Sequence, residues 1–167
     1  MDLGTSIIGI IIVAICILPF ILIGFNNSKK RKKTLQHLSD TAKTNNCTIE
    51  KSEFWHLTAI GIDQSNKMLF FTRKTDDTAI YKTIDLSQIQ KCNLVRTEST
   101  NKAIGKLELQ LEFFDKNKPN VSLEFYDKDQ SMSLVNEIEI SVKWHKIINQ
   151  KSEIRNSESG IRNPEFM

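Results

Sequence analysis

The feature that most constrains this chain is an uninterrupted apolar run near its N-terminus. No charged residue occurs between residues 3 and 28, and residues 7–25 are apolar or glycine at all 19 positions. A helix rises about 1.5 Å per residue and the hydrocarbon layer of a bilayer is about 30 Å thick, so a run of this length matches one membrane span. We predict that residues 1–28 form a transmembrane anchor.

Two other interpretations of the apolar run fit its flanks less well. An export signal has a basic start, an apolar stretch of roughly 7–15 residues and a small-residue cleavage site. This chain begins MDLGTS, and polar and basic residues follow the apolar run. A buried helix of a soluble protein would keep a polar face, which this run does not leave.

Five consecutive basic residues follow the run: Lys29, Lys30, Arg31, Lys32 and Lys33. Positive charge beside a span favours keeping that side in the cytoplasm. We therefore predict a single-pass protein of the inner cell membrane, with its N-terminus outside and residues 29–167 in the cytoplasm. The basic run either sets this topology alone or also binds anionic lipid headgroups of the bilayer.

The charge of the remaining chain excludes one class of function. The formal charge of the 167 residues is +3, and the basic run contributes five positive charges, so everything else sums to −2. Nucleic-acid binders normally spread lysine and arginine over a face, because neutralising phosphates supplies much of their affinity. We expect no nucleic-acid partner.

Hydrophobic periodicity changes twice after the basic run. Leu35, Leu38 and Ala42 have helical spacing, so residues 29–46 are predicted to be a basic juxtamembrane segment with a short helix. Residues 47–150 then form a predicted domain. Its first part contains short runs rich in isoleucine, leucine, phenylalanine and threonine, separated by turn residues, which indicates about seven antiparallel strands.

The end of the predicted domain is helical. The run LELQLEFF alternates between apolar and polar residues like a strand with one buried face, but residues 131–149 have a helical pattern with a broad apolar surface. Trp144, Ile140 and Ile148 are predicted to cover the open end of a bent sheet or partly open barrel. Residues 151–167 are polar and predicted to be a disordered tail.

This order of elements resembles a pleckstrin-homology-like domain, over roughly residues 47–149. The segments AIGID, KMLFF, IDLSQIQKC, LELQLEFF, VSLEFYD and SVKWHKII also resemble a group of small, uncharacterised bacterial single-pass membrane proteins. The resemblance implies a bent seven-stranded sheet with a C-terminal helix. Pleckstrin-homology domains that bind phosphoinositides use basic residues between their first two strands, but KSEFWHLTAIGIDQSNK has no arginine and only scattered lysines. That activity is not carried over.

The sequence contains no complete catalytic or metal-binding motif. His37, His56 and His145 lie in different elements, and none has a second ligand at metal-binding spacing. The three cysteines are odd in number and have no CxxC spacing. We expect no enzyme activity, no cofactor and no bound metal.

Four aromatic residues are candidates for contacting a partner protein: Phe54, Trp55, Phe70 and Phe71. Large aromatic side chains frequently anchor protein interfaces. Phe54 and Trp55, together with an exposed Phe70 or Phe71, would form such an anchor here. The alternative is that all four belong to the hydrophobic core.

These observations lead to two hypotheses about function. The first is a membrane-anchored interaction or scaffold module without catalytic activity. The second is a sensor of lipid headgroups or a small ligand, which would use the basic run together with an apolar pocket under the C-terminal helix.

Overall fold

The computed structural model describes residues 3–74, 79–99, 103–131 and 133–160. The elements in chain order are α1 (Leu3–Thr44), β1 (Lys51–Trp55), β2 (Thr58–Asp63), β3 (Met68–Lys74), β4 (Ala79–Asp85), a 3₁₀ turn (Leu86–Gln88), β5 (Ile89–Glu98), β6 (Ile104–Phe113), β7 (Val121–Asp127) and α2 (Glu137–Gly160). Every pair of neighbouring strands is antiparallel.

The seven strands form two sheets, so the described domain is mainly β with a C-terminal helix. One sheet has the order β1-β2-β3-β4 and the other the order β5-β6-β7. The predicted number of strands is confirmed within the described residues. The single bent sheet or partly open barrel is not observed as such, because neither sheet closes and the 3₁₀ turn separates them.

The main hydrophobic core lies between the two sheets and α2. Ile140, Trp144 and Ile148 are each at most 7% exposed and belong to this core, as predicted. Their spacing of four residues places them on one face of α2, while Glu139 and Lys143 are exposed. The C-terminal helix therefore covers the apolar surface that the two open sheets leave.

Helix α2 differs from the prediction at both ends. It begins at Glu137 and not near Ser131, because Ile140 donates its backbone N–H to the carbonyl of Asn136 in the first turn. It continues to Gly160, into the predicted tail, since no proline or glycine interrupts residues 150–159. Residues 161–167 of that tail lie outside the described residues.

Helix α1 includes both the predicted anchor and the predicted juxtamembrane helix as one continuous element. Most side chains of residues 7–25 lie outside the described set, so the predicted span is not tested there. Ile11, Ile12, Val13, Ile15 and Ile17 are described, and each is about half exposed or more. Among the side chains that are described, no helix is both long and apolar enough to cross a membrane.

Candidate interaction site

The C-terminal part of α1 packs against the outer face of the four-stranded sheet. Leu38 and Ala42 are almost fully buried there, in a second hydrophobic cluster with Ala59 and Phe70 of the sheet. Leu35 packs against the edge of this cluster. Residues three, four and seven apart on a helix share one face, so these three residues of α1 form a docking stripe.

A glycine permits this close packing between helix and sheet. A Cβ atom added at Gly61 of β2 would lie 2.9 Å from Cδ2 of Leu38 and 3.0 Å from Cγ2 of Ile49. Real Cβ atoms essentially never approach other atoms so closely, so a larger residue at Gly61 would have to displace the side chains of Leu38 and Ile49. The absence of a side chain at Gly61 therefore leaves room for these two side chains over β2.

Helical geometry places the docked domain close to the end of the apolar run. Ten residues separate Phe25 from Leu35 within the single helix, which corresponds to about 15 Å along its axis. The five basic residues of the run at 29–33 lie between these two points, and all of them are exposed. The domain is thus joined to the apolar segment by a helix and not by a flexible linker.

The four predicted partner-binding aromatics do not form an exposed surface. Trp55, Phe70 and Phe71 are at most 4% exposed, and Phe54 is partly buried against the second cluster. The first alternative, an exposed Phe70 or Phe71, is not observed, and the second, a place in the core, holds for three of the four aromatics, because the sheet is covered on both faces. β3 directs Phe71 towards the main core and Phe70 towards α1.

Trp55 has a specific role within the core. Its ring stacks on Phe125, with centroids 4.7 Å apart, and its Nε1–H donates to the carbonyl of the same residue at 2.9 Å. Phe125 is an extra residue in the β6–β7 pairing, where Leu107 pairs with Tyr126 and Glu108 with Glu124. The bulge therefore frees a carbonyl for the indole, and Trp55 links the two sheets.

A second polar connection between the sheets was not predicted from the sequence. Arg73 of β3 is 5% exposed; its Nη1 donates to the carbonyl of Glu124 at 3.0 Å, and its Nη2 lies 2.8 Å from the Glu124 carboxylate. Lys82 of β4 donates to the carbonyl of Ser122. Side chains of one sheet thus satisfy carbonyls of β7 in the other, where no backbone pairing is formed.

Two further charged residues extend this connection along the three-stranded sheet. Nζ of Lys106 lies 2.9 Å from a carboxylate oxygen of Glu124 and 3.0 Å from one of Glu108. These hydrogen bonds, first the one to Glu124 and then the one to Glu108, raise the pKa of Lys106. Burial acts to raise the pKa of Glu108, but bonds from Ser122 and Lys106 outweigh it and the pKa is lowered overall. Both directions favour the charged forms, which suits a structural ion-pair network.

The third polar connection holds α2 in place. Glu53 of β1 accepts a hydrogen bond from Nε1 of Trp144 at 2.6 Å and pairs with Lys143. Glu137, at the first position of α2, is fully buried; its Oε1 lies 2.6 Å from Nε2 of His56, and its Oε2 accepts the N–H of Val135. His56 has a φ of 45°, so the β1–β2 turn is held in a left-handed conformation beside this carboxylate.

The three histidines remain apart from one another in the structure. His37 stacks on Tyr81, His56 contacts Glu137, and His145 contacts Asn149. Among the described residues no group of three or more histidines, cysteines or acidic residues is arranged to hold a metal ion. The expectation of no metal and no catalysis stays a prediction.

Asp63 accepts a hydrogen bond from the N–H of Thr48, just after the end of α1. We predict that its carboxylate contributes to the free energy of unfolding in a pH-dependent way at low pH. Hydrogen bonds from the backbone and then the side chain of Asn66, followed by the N–H of Thr48, lower its pKa from 3.8 to about 2. Asp63 therefore stabilises the fold above its unfolded pKa, and this contribution is lost as pH falls from about 3.8 to about 2. In urea unfolding across this range, Asp63→Asn should weaken the pH dependence, whereas the exposed Asp129→Asn should not. An unchanged pH dependence in Asp63→Asn would contradict this role.

The two buried cysteines are expected to be unreactive in the folded chain. Burial raises the pKa of the Cys92 thiol to about 12, and burial followed by the charge of Asp63 raises that of Cys47. Because the thiolate is the nucleophile, neither should react with iodoacetamide at neutral pH until the chain unfolds. Mass spectrometry of a Cys16→Ser variant would count the adducts. Rapid native labelling of Cys92 would contradict the burial.

Comparisons of the chain with family models, with curated proteins and with solved structures gave no match. The class defined by the described residues is therefore a mainly β domain of two antiparallel sheets with helices packed on it. The resemblance to pleckstrin-homology-like proteins stays a prediction.

Proposed function

We propose that this chain is a single-pass membrane protein whose cytoplasmic, pleckstrin-homology-like domain is an interaction module held rigidly beside the bilayer. The observation that carries the proposal is the continuity of α1, which runs from the apolar residues through the basic run to the docking stripe. Half-exposed isoleucines near the start of α1 support insertion in lipid, because apolar side chains gain free energy when removed from water. The proposed role requires no catalysis.

In this proposal, the rigid connection fixes the height and orientation of the domain relative to the membrane. A flexible linker would let the domain sample many heights and orientations, whereas a docked helix fixes one of each. A partner in or near the same membrane then meets the domain without the entropic cost of ordering a linker. The proposed module is therefore a fixed platform, and its activity depends on the α1–sheet packing.

Gly61→Val is predicted to loosen this packing. Even a single Cβ at this position would lie 2.9 Å from Cδ2 of Leu38, so the larger, branched side chain of valine should destabilise the native packing by about 1–3 kcal/mol. Because Cys47 belongs to the same cluster as Leu38, its reactivity with iodoacetamide should rise in the variant. Val135→Ala, at a residue 73% exposed, serves as the control and should leave Cys47 protected. Equal protection in both variants would contradict the packing argument.

The test of the proposed function is crosslinking of the full-length chain in its native membrane. A lysine-reactive reagent should produce discrete protein adducts, and these should weaken in Gly61→Val although the variant still fractionates with membranes. Val135→Ala should give the same adducts as the unaltered chain. Absence of any protein adduct would overturn the interaction role, and undiminished adducts in Gly61→Val would overturn the requirement for rigid docking.

A second candidate function, a sensor of lipid headgroups, is favoured by the exposed basic run. Its five positive charges are concentrated in a region that the proposed topology places at the membrane surface. The apolar space predicted under the C-terminal helix is filled by Trp144, Ile140 and Ile148, which are buried in the core. A sensor would therefore rely on the basic run itself. Binding to anionic liposomes that falls steeply with salt would favour this candidate.

A further inference from the structure

The five residues of the basic run lie on different faces of α1 relative to the docked domain. Successive residues of a helix are about 100° apart, so Arg31 lies on the docking stripe, seven residues before Leu38 and four before Leu35. Lys29 and Lys33 fall on the opposite face by the same geometry. The five cations are therefore not equivalent, although all are exposed.

An open depression lies beside the docking stripe at the level of the basic run. Arg31, Lys32, Leu35 and Gln36, all on α1, line this shallow surface. Its described lining therefore combines two exposed cations, an exposed amide and a half-buried leucine.

The two cations of the depression lack acidic partners. Within the described part of the chain, neither Arg31 nor Lys32 forms an ion pair, whereas Arg73, Lys106 and Lys143 each pair with a glutamate. Side chains on a helix tilt towards its N-terminus, which for Arg31 and Lys32 is the direction of the apolar run. Arg31 lies about 9 Å along the axis from Phe25, just beyond a headgroup layer about 5–8 Å deep, and the tilt of its side chain reaches back towards that layer.

We infer that this depression binds one anionic phospholipid, with its phosphate between Arg31 and Lys32. The inference deepens the proposed function, since it rests on the membrane placement of α1. A guanidinium and an ammonium together match the charge and oxygen geometry of a phosphodiester. Phosphatidylglycerol contains such a phosphodiester and carries one net negative charge, so it is a suitable probe of the site.

The test counts lipids bound to the full-length protein in nonionic detergent by native mass spectrometry. Phosphatidylglycerol should be retained over phosphatidylcholine, and the double substitution Arg31→Gln with Lys32→Gln should reduce its retention by roughly tenfold. Lys29→Gln with Lys33→Gln removes the same charge from the opposite face and should retain the lipid. Glycerol phosphate in solution should not displace it.

Three results would overturn the inference. Equal losses in the two double variants would mean general charge attraction, and no loss in either would mean that the depression is not the site. Displacement by glycerol phosphate would indicate a site for a free anion. Membrane fractionation of the same variants separates these outcomes from failure of the proposed function, because a chain that leaves the membrane fraction altogether would refute the anchor itself.

Discussion

Trp144→Ala is expected to lower the free energy of unfolding of the domain by about 3–5 kcal/mol, the typical cost of truncating a large buried aromatic side chain. Trp144 is 1% exposed and fills the space between α2 and the two sheets. The substitution would leave a cavity and also remove the hydrogen bond to Glu53, so one end of the connection between β1 and α2 would be lost.

Trp144→Phe separates these two contributions. Phenylalanine keeps most of the buried volume but cannot donate to Glu53, whose carboxylate would still pair with Lys143. We expect a loss of about 1–2 kcal/mol from the missing hydrogen bond. Chemical denaturation of the full chain in detergent, followed by circular dichroism, measures both variants. A cost for Trp144→Ala below that of Trp144→Phe would contradict the packing role.

Arg73→Met should have an effect of similar size, about 3–5 kcal/mol, because it removes one member of a buried charged network. The guanidinium contacts the carboxylate and carbonyl of Glu124 and the side chain of Gln130 at 3.0 Å or less. Methionine fills comparable space but leaves these acceptors without their donor. The two sheets would then lose the strongest polar link between β3 and β7.

Arg73→Lys and Lys74→Met are the matched controls for this prediction. Lysine keeps the charge but lacks the planar fork that reaches several acceptors, so an intermediate loss is expected. Lys74 is the exposed neighbour at the end of β3, and its substitution should change stability by no more than about 0.5 kcal/mol. If Arg73→Met and Lys74→Met were equally stable, the network would not hold the sheets together.

Much of the fold could be predicted because the strands carry strong local patterns. In β6 the buried residues Leu107, Leu109 and Leu111 alternate with less buried polar ones, as expected for a sheet with one core face. β7 coincides with the segment VSLEFYD, since turn residues border it on both sides. The division into two sheets was not predicted, because it depends on contacts between residues far apart in sequence.

The candidate site was predicted less completely than the fold. The basic run is recognisable from its charge alone, and the helical spacing of Leu38 and Ala42 correctly indicated a helix. Nothing local, however, indicates that this helix packs on the sheet, because the packing joins residues far apart in sequence, such as Leu38 and Ala59. Arg73 was also missed, because a charged residue at the end of a strand normally points to water.

We propose that residues 1–28 anchor the chain in a membrane, and alkaline extraction of cell membranes tests this anchor most directly. The full-length chain should stay in the membrane pellet under these conditions and should dissolve only when detergent is added. A chain that begins at residue 29 should move to the aqueous supernatant. Recovery of the intact full-length chain in the detergent-free supernatant would contradict the anchor, and with it the placement of the docked domain beside the bilayer.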